Sequence, residues 1–241
     1  HLSAKGIVFA CSMYNIQHTV TPVNGKLQVR LECERPDVEI RYTVDGKEPT
    51  DRSLLYKSPL VVTGTQTIKC TTYRAGRQMG KTLTLPLVWN KATAKPVLGN
   101  TQAGKILVNG IRGSLRQSDF EWHSWESSDS VAFTIDLQKK ELLRSVSVGC
   151  ITNYGMAAHK PADIEVWVSN DNRDYRKVSG KQFTDGEIFR EGTFKEDVVL
   201  DLNKEIGRYV RIIAKGVGEC PATHVRPGQE ARIYFDEVMI E

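Results

Sequence analysis

From Leu27 onward, apolar and polar residues alternate with a period of two, and no segment of twelve residues carries the 3.6-residue period of an amphipathic helix. A chain patterned this way can bury apolar surface only by laying strand faces against one another. The alternation predicts strands at Leu27–Glu32, Thr67–Tyr73, Val131–Leu137, Ser145–Ile151, Ile164–Ser169, Tyr209–Ala214 and Arg232–Ile240. In the fifth run Ile164, Val166 and Val168 share one face and Glu165 and Trp167 the other, so Trp167 fits packing beneath a loop better than a ligand platform. The expected class is all-β.

At 241 residues the chain is long enough for one or two domains. Its 33 basic and 29 acidic residues are scattered, without a run of five like charges, which argues against a nucleic-acid or acidic-membrane partner. No apolar stretch reaches 18 residues, so no helical membrane span is expected. The chain opens His1-Leu2-Ser3 without an initiator Met, signal peptide or lipidation motif, and reads as a piece of a longer protein whose targeting signal lies elsewhere. Five cysteines show no C-x-x-C spacing, so neither a zinc site nor a redox pair is expected. Cys33 and Cys70 could pair across neighbouring strands or remain buried thiols. Small and polar residues lead into Pro96 across 89–96, which makes this the expected linker between a first domain, 1–94, and a second, 95–241.

Within the first domain, Ile40, Tyr42 and Val44 alternate as a strand into Asp45-Gly46, a pair suited to a tight turn, and Pro49 and Pro59 interrupt ladder pairing. Together with Ser53, Tyr56, Tyr73, Gly76 and Arg77, the run Tyr42-Thr43-x-Asp45-Gly46-x-x-Pro49-Thr50 resembles a sandwich module of bacterial chitobiases and β-hexosaminidases, glycoside hydrolase family 20. In those enzymes the module stands behind the catalytic barrel. The resemblance implies an immunoglobulin/fibronectin-like β-sandwich of roughly 90 residues.

The second half carries Asn109-Gly110-Ile111-Arg112-Gly113-Ser114, then Trp122-His123-Ser124-Trp125, Asp129, and the strand runs through Asp236-Glu237-Val238. Their order resembles the coagulation factor 5/8 type C, or discoidin, β jelly roll, a galactose-binding-domain-like fold whose sugar-binding branch is carbohydrate-binding module family 32. In that branch an Asp-Gly-Asn-x-x-Thr loop, completed by a C-terminal acidic pair, often holds structural calcium. The corresponding ligands here are Asn109, Ser114 and Glu237, with a neutral Asn109 where the family has a carboxylate, which would weaken any calcium site. Along the last strand, Ile233 and Phe235 set one apolar phase and Val238 and Ile240 the other. That flip at Asp236-Glu237 reflects either a β-bulge or a strand buried on both faces.

Sugar recognition needs an aromatic face and planar polar groups. Three loops offer them: one with Trp122, His123 and Trp125, one spanning Asn153–His159 with Tyr154 and His159, and one spanning Gly218–Gly228 with His224 and Arg226. Three of the five histidines fall there. Trp125 is expected to plug the core, whereas Trp122 is readable as platform or packing. The third loop has Thr223 before His224 where relatives often have a Trp, so one stacking surface is missing.

Asp236-Glu237 imitates the adjacent acid pair of family 20, but neighbouring side chains on a strand face opposite ways, and that pair belongs to a barrel of about 250 residues. No G-x-S-x-G, H-E-x-x-H or P-loop is present. The chain is therefore expected to be non-catalytic: an accessory region of a secreted, periplasmic or cell-surface bacterial β-N-acetylhexosaminidase. Its expected partners are galactose- or N-acetylhexosamine-type glycans and a catalytic domain upstream in the same chain. A purely bracing role is the alternative. A third is adhesion through exposed Leu or Phe spikes, although these loops read as offering mainly His, Arg and one Met.

Overall fold

The computed structural model describes residues 11–100, 102–127 and 130–241, so Asp129 lies outside the described residues. The chain forms two compact units, His1–Trp89 and Asn90–Glu241. The division precedes residue 94 because the start of the supposed linker is bound into the second unit. Ala92 and Ala94 are buried, the Lys91 amide donates to Ile240 O, and the Ala94 amide donates to Val108 O.

In the first unit β1 (Ile16–Val23), β2 (Lys26–Cys33), β3 (Glu39–Thr43), β4 (Leu54–Leu55), β5 (Leu60–Val62), β6 (Gln66–Arg74), β7 (Arg77–Gln78) and β8 (Leu83–Leu87) form two sheets. One has the order β1-β2-β5; the other runs β4-β3-β6-β7, with β8 also on β6. Alternation along β2 buries Leu27, Val29 and Leu31, and Ile68, Cys70, Leu85 and Leu87 supply buried side chains from the second sheet. Each buried leucine, valine and isoleucine here contributes about 1.5–3 kcal/mol by leaving water. Cys33 and Cys70 are free thiols on strands of different sheets, and burial pushes the Cys70 thiol up to about 12. A disulfide between them is not formed.

The stretch after β3 is a self-bonded loop, not a two-residue hairpin turn, since β3 pairs with β4 ten residues further on. Gly46 takes the positive φ of 76°. Asp45 Oδ1 accepts the Lys47 amide, Ser53 Oγ accepts the Thr50 amide, and the Tyr73 hydroxyl donates to Pro49 O at 2.9 Å. Tyr56 Oη accepts the Leu31 amide. The residues that form the sequence block thus hold one loop in shape by bonding to one another and to the adjacent strands.

In the second unit β9 (Val97–Leu98), β10 (His123–Glu126), β11 (Ser130–Asn153), β12 (Asp163–Ser169), β13 (Arg176–Gln182), the four-residue helix α1 (Asp185–Ile188), β14 (Thr193–Lys215) and β15 (Arg232–Ile240) follow in order. The pairing order is β10-β15-β11-β14-β12-β13, with β9 on β11. β11 and β14 are long enough to serve both layers. Their register shifts between Asp136 and Glu141 and again before Ser145, and Gln138, Asn203 and Lys204 have positive φ. Such corners bend a strand from one layer into the next. One layer is then β10, β15 and the halves of β11 and β14 around 145–153 and 193–201; the other is their remaining halves with β12 and β13.

Phe133, Ile135, Val148, Val166, Ile212 and Phe235 meet in the core between these layers. The phase flip in β15 is a bulge: Val148 pairs with Val238 and Cys150 with Phe235, so Gly149 faces both Asp236 and Glu237. Ile233, Phe235, Val238 and Ile240 thereby all point into the core. Trp125 packs on Phe133 and Phe235 with centroid separations of 6.2 and 5.5 Å, as expected of a core plug. Trp167 is half-buried and donates its indole N–H to Glu165.

Candidate functional site

Two loops cross from layer to layer at one end of the second unit. β11 ends at Asn153 in the first layer, whereas β12 begins at Asp163 opposite Lys215 in the second; the 216–231 loop makes the return journey to Arg232. A third loop, 111–122, joins them. Asn153 Nδ2 donates to Gln117 Oε1 at 2.7 Å, Arg226 Nε donates to Gly155 O at 2.5 Å, and the rings of Tyr154 and His224 stand 4.0 Å apart. The predicted 153–159 and 218–228 loops therefore meet, and 111–122 joins them through Gln117, whereas the stretch expected as a loop around Trp122, His123 and Trp125 is strand β10 from His123 onward.

Their residues do not all face outward. Trp122 is only 6% exposed, its indole lies against Gly113, and its N–H donates to Ser114 O at 3.0 Å. It packs and does not form a platform, because the glycine leaves a slot that the ring fills. His123 is half-buried on β10 beside Trp125 with a centroid separation of 4.4 Å, and burial lowers its pKa. Tyr154 is half-buried and Arg226 exposed.

His159 and His224 are 1% and 4% exposed, and so cannot touch a ligand in solvent as the sequence suggested. Their hydrogen bonds define their protonation. Ile188 O can only accept, so His159 carries its proton on Nδ1, 3.1 Å away. The Arg226 amide can only donate, so His224 Nδ1 is bare and its proton sits on Nε2. That proton points to His159 Nε2 at 3.2 Å. Both rings are neutral in this arrangement, and burial holds His159 down to about 4. His224 is also lowered, by burial first and then by Arg226.

The oxygens expected to hold calcium do not form a cage for it. Asn109 Oδ1 accepts the Ile111 amide, exposed Ser114 bonds Asp119, and fully buried Glu237 accepts the Gly110 amide at 2.9 Å. N–H groups aimed at carboxylate oxygens occupy the directions a cation needs. The positive charge is instead covalent: Arg112 Nε lies 3.0 Å from buried Asp236, and the same guanidinium pairs with Asp197. Burial raises Glu237 well above the usual carboxyl range. These residues do not fit the ion, and Asp236 and Glu237, both 0% exposed, are not presented to any substrate.

Sequence reasoning named Arg226 and noted one Met in these loops but missed Phe120, Leu115 and Val225 as exposed side chains. Phe120 is 95% exposed, and Leu115, Met156 and Val225 are 56%, 51% and 65% exposed. The available signal was Phe120 itself, an aromatic between Asp119 and Glu121 in a segment without periodicity. Nearby Trp122 drew attention because tryptophan is the better stacking surface.

A two-layered, all-β unit with layer-crossing loops gathered at one end defines a discoidin-type jelly roll. The chain belongs to the F5/8 type C domain family, whose model matches residues 91–225, more than half of its length. Residues 21–84 match the chitobiase/β-hexosaminidase C-terminal domain. Among solved structures the chain is similar to a C-terminal domain of a chitobiase from Bacteroides fragilis, with 12% identity, a TM-score of 0.30, and coverage of 46% of this chain and 62% of that one. It is also similar to a family 32 module from Clostridium perfringens solved with GalNAc-β-1,3-galactose, at 19% identity, TM-score 0.31, and coverage of 45% and 63%. A chitosan-binding module from a Paenibacillus chitosanase/glucanase gives 15% identity, TM-score 0.41, and coverage of 64% and 98%. The chain thus spans less than two thirds of the length of the first two. No curated protein sequence matches it. Among the described residues no helix is long and apolar enough to cross a membrane.

Proposed function

We propose that the second unit binds terminal sugars of galactose or N-acetylhexosamine type, and that the chain is a non-catalytic accessory region of a secreted bacterial β-N-acetylhexosaminidase. The observation that carries this reading is the meeting of three loops that leave Phe120 and Arg226 exposed and Tyr154 half-buried. Phe120 takes the stacking role expected of Trp122, and Arg226 supplies planar donors for hydroxyls. Membership of the F5/8 type C family and the accompanying chitobiase-type module support the assignment. A shallow site of this kind binds with a Kd of roughly 0.1–1 mM. Tethering to a catalytic domain turns such affinity into a higher local substrate concentration. Titration of the chain with galactose, GalNAc and GlcNAc glycosides tests the reading. Millimolar or tighter binding that Phe120→Ala weakens about tenfold, or 1.4 kcal/mol, is expected, and a blank series overturns it.

A second reading is favoured by the apolar tips. Leu115, Phe120, Met156 and Val225 give these loops a set of exposed hydrophobic side chains, the feature expected of an adhesion module. Capture of the chain by lipid vesicles, reduced in a Leu115→Ser/Phe120→Ser variant and unaffected by free sugar, would favour adhesion over sugar binding.

A further inference from the structure

We propose that His159, Cys220 and His224 form a site for one borderline-soft transition-metal ion, with Zn2+ the ion their donors suit. One ligand atom from each residue lies within 4.8 Å of the others, and all three residues are buried. Imidazole nitrogen and thiolate sulfur are the donors of biological zinc sites. The two histidines are spaced close to what a metal requires, and the Cys220 sulfur lies within 4.8 Å of them. Two nitrogens bound at about 2.05 Å to a tetrahedral ion stand roughly 3.3 Å apart, and the two Nε2 atoms here are separated by 3.2 Å.

The surroundings of His159 are arranged for ligation, whereas His224 exchanges its tautomer on binding. His159 donates its Nδ1–H to Ile188 O, which fixes the ring and turns the Nε2 lone pair toward His224. Metal-bound histidines are held in this way by a carbonyl on the far nitrogen. Phe189 stands against His159 at 5.0 Å and Tyr154 against His224 at 4.0 Å, walling the cluster with aromatic rings. Cys220 is a free thiol whose backbone is pinned on both sides, its amide donating to Gln229 O and its carbonyl accepting the Gly228 amide. The cluster thus sits on two tied loops that come from separate parts of the chain, a junction that sequence spacing does not disclose.

Binding has a simple proton balance. The proton between the two Nε2 atoms moves to His224 Nδ1, which gives up the Arg226 amide bond, and the Cys220 thiol proton is released to solvent. The ion takes the vacated position with two neutral imidazoles and one thiolate. A tetrahedral ion then keeps one coordination position for water or another donor. Its structural effect is to clamp the 154–162 loop to the 216–231 loop, and it does not depend on whether the exposed tips above bind sugar.

The test uses the reduced, chelator-stripped chain and Co2+ as a spectroscopic probe for Zn2+. One equivalent of Co2+ is expected to give a thiolate-to-cobalt charge-transfer band with tetrahedral d–d bands, all displaced by one equivalent of Zn2+. Cys220→Ser should abolish the charge-transfer band. His159→Phe, which keeps a ring of similar shape, should weaken Zn2+ binding by more than about 100-fold, the upper end of what even an outer partner of a metal costs. A wild-type spectrum without the thiolate band overturns the proposal. So does a band that persists unchanged in either variant.

Discussion

Trp122 lies so close over Gly113 that a Cβ on the glycine would stand 2.3 Å from the indole Cε2. Gly113→Ala should therefore destabilise the second unit by about 1–3 kcal/mol, the usual cost of overpacking, and Trp122→Ala by about 3–5 kcal/mol through the cavity it leaves. Chemical denaturation followed through the second unit measures both. A Trp122→Ala protein of unchanged stability would show that the ring is not packed as described.

Gly149 makes the opposite bulge strand possible. A Cβ there would fall 1.8 Å from Asp236 Oδ1 and 2.7 Å from the Arg112 guanidinium. Gly149→Ala is expected to lower the unfolding midpoint more than Gly186→Ala, where nothing lies within 4 Å. Equal midpoints would argue against the bulge.

Arg112 acts as the built-in cation for Asp236. Arg112→Met leaves that buried carboxylate without its charge partner and should cost about 3–5 kcal/mol. The wild-type melting temperature should be indifferent to millimolar Ca2+ or to a calcium chelator. An upward shift with Ca2+ would show that the Asn109 loop takes calcium after all.

Tyr73 and Pro49, far apart in sequence, are hydrogen-bonded at 2.9 Å. Tyr73→Phe removes only the donor and strands a buried carbonyl, at a cost of about 1–3 kcal/mol. Unfolding of the first unit should move accordingly, and an unchanged midpoint would mean that water replaces the hydroxyl without loss.

Asp171 gives a pH dependence of defined sign. Amides of Arg173 and Asp174 and the Ser169 hydroxyl hold its carboxyl down to about 2, against an ordinary value of 3.8. The unfolded chain binds a proton first on acidification, so this contribution is complete above the ordinary value and is lost as pH falls from there through about 2. Asp171→Asn should flatten the acid limb of the stability profile in that window. A variant with the same slope as wild type would assign the limb to other carboxylates.

Strand positions were legible wherever alternation was strict. β15 runs over the predicted residues, and β12 buries Ile164, Val166 and Val168 on the predicted face. The single runs expected at Val131–Leu137 and Ser145–Ile151 proved to be parts of β11, because bulges that bend a strand leave no break in its hydrophobic content. β13 escaped notice because its exposed residues, Arg176 to Gln182, lie at a sheet edge where no face needs to be apolar.

The all-β class, the two modules and the 153–159 and 218–228 loops were readable from the residues alone, since period, turn residues and motif order are local properties of a chain. Which loop side chains are buried follows from packing between segments distant in the chain. Whether Trp122, His159 or His224 meets solvent depends on Gly113, Phe189 and Tyr154, residues brought beside them by the layer-crossing loops. Exposure and donor spacing are set by neighbours distant in sequence, so the exposed Phe120 and the His159–Cys220–His224 cluster emerge only once those loops are folded against one another.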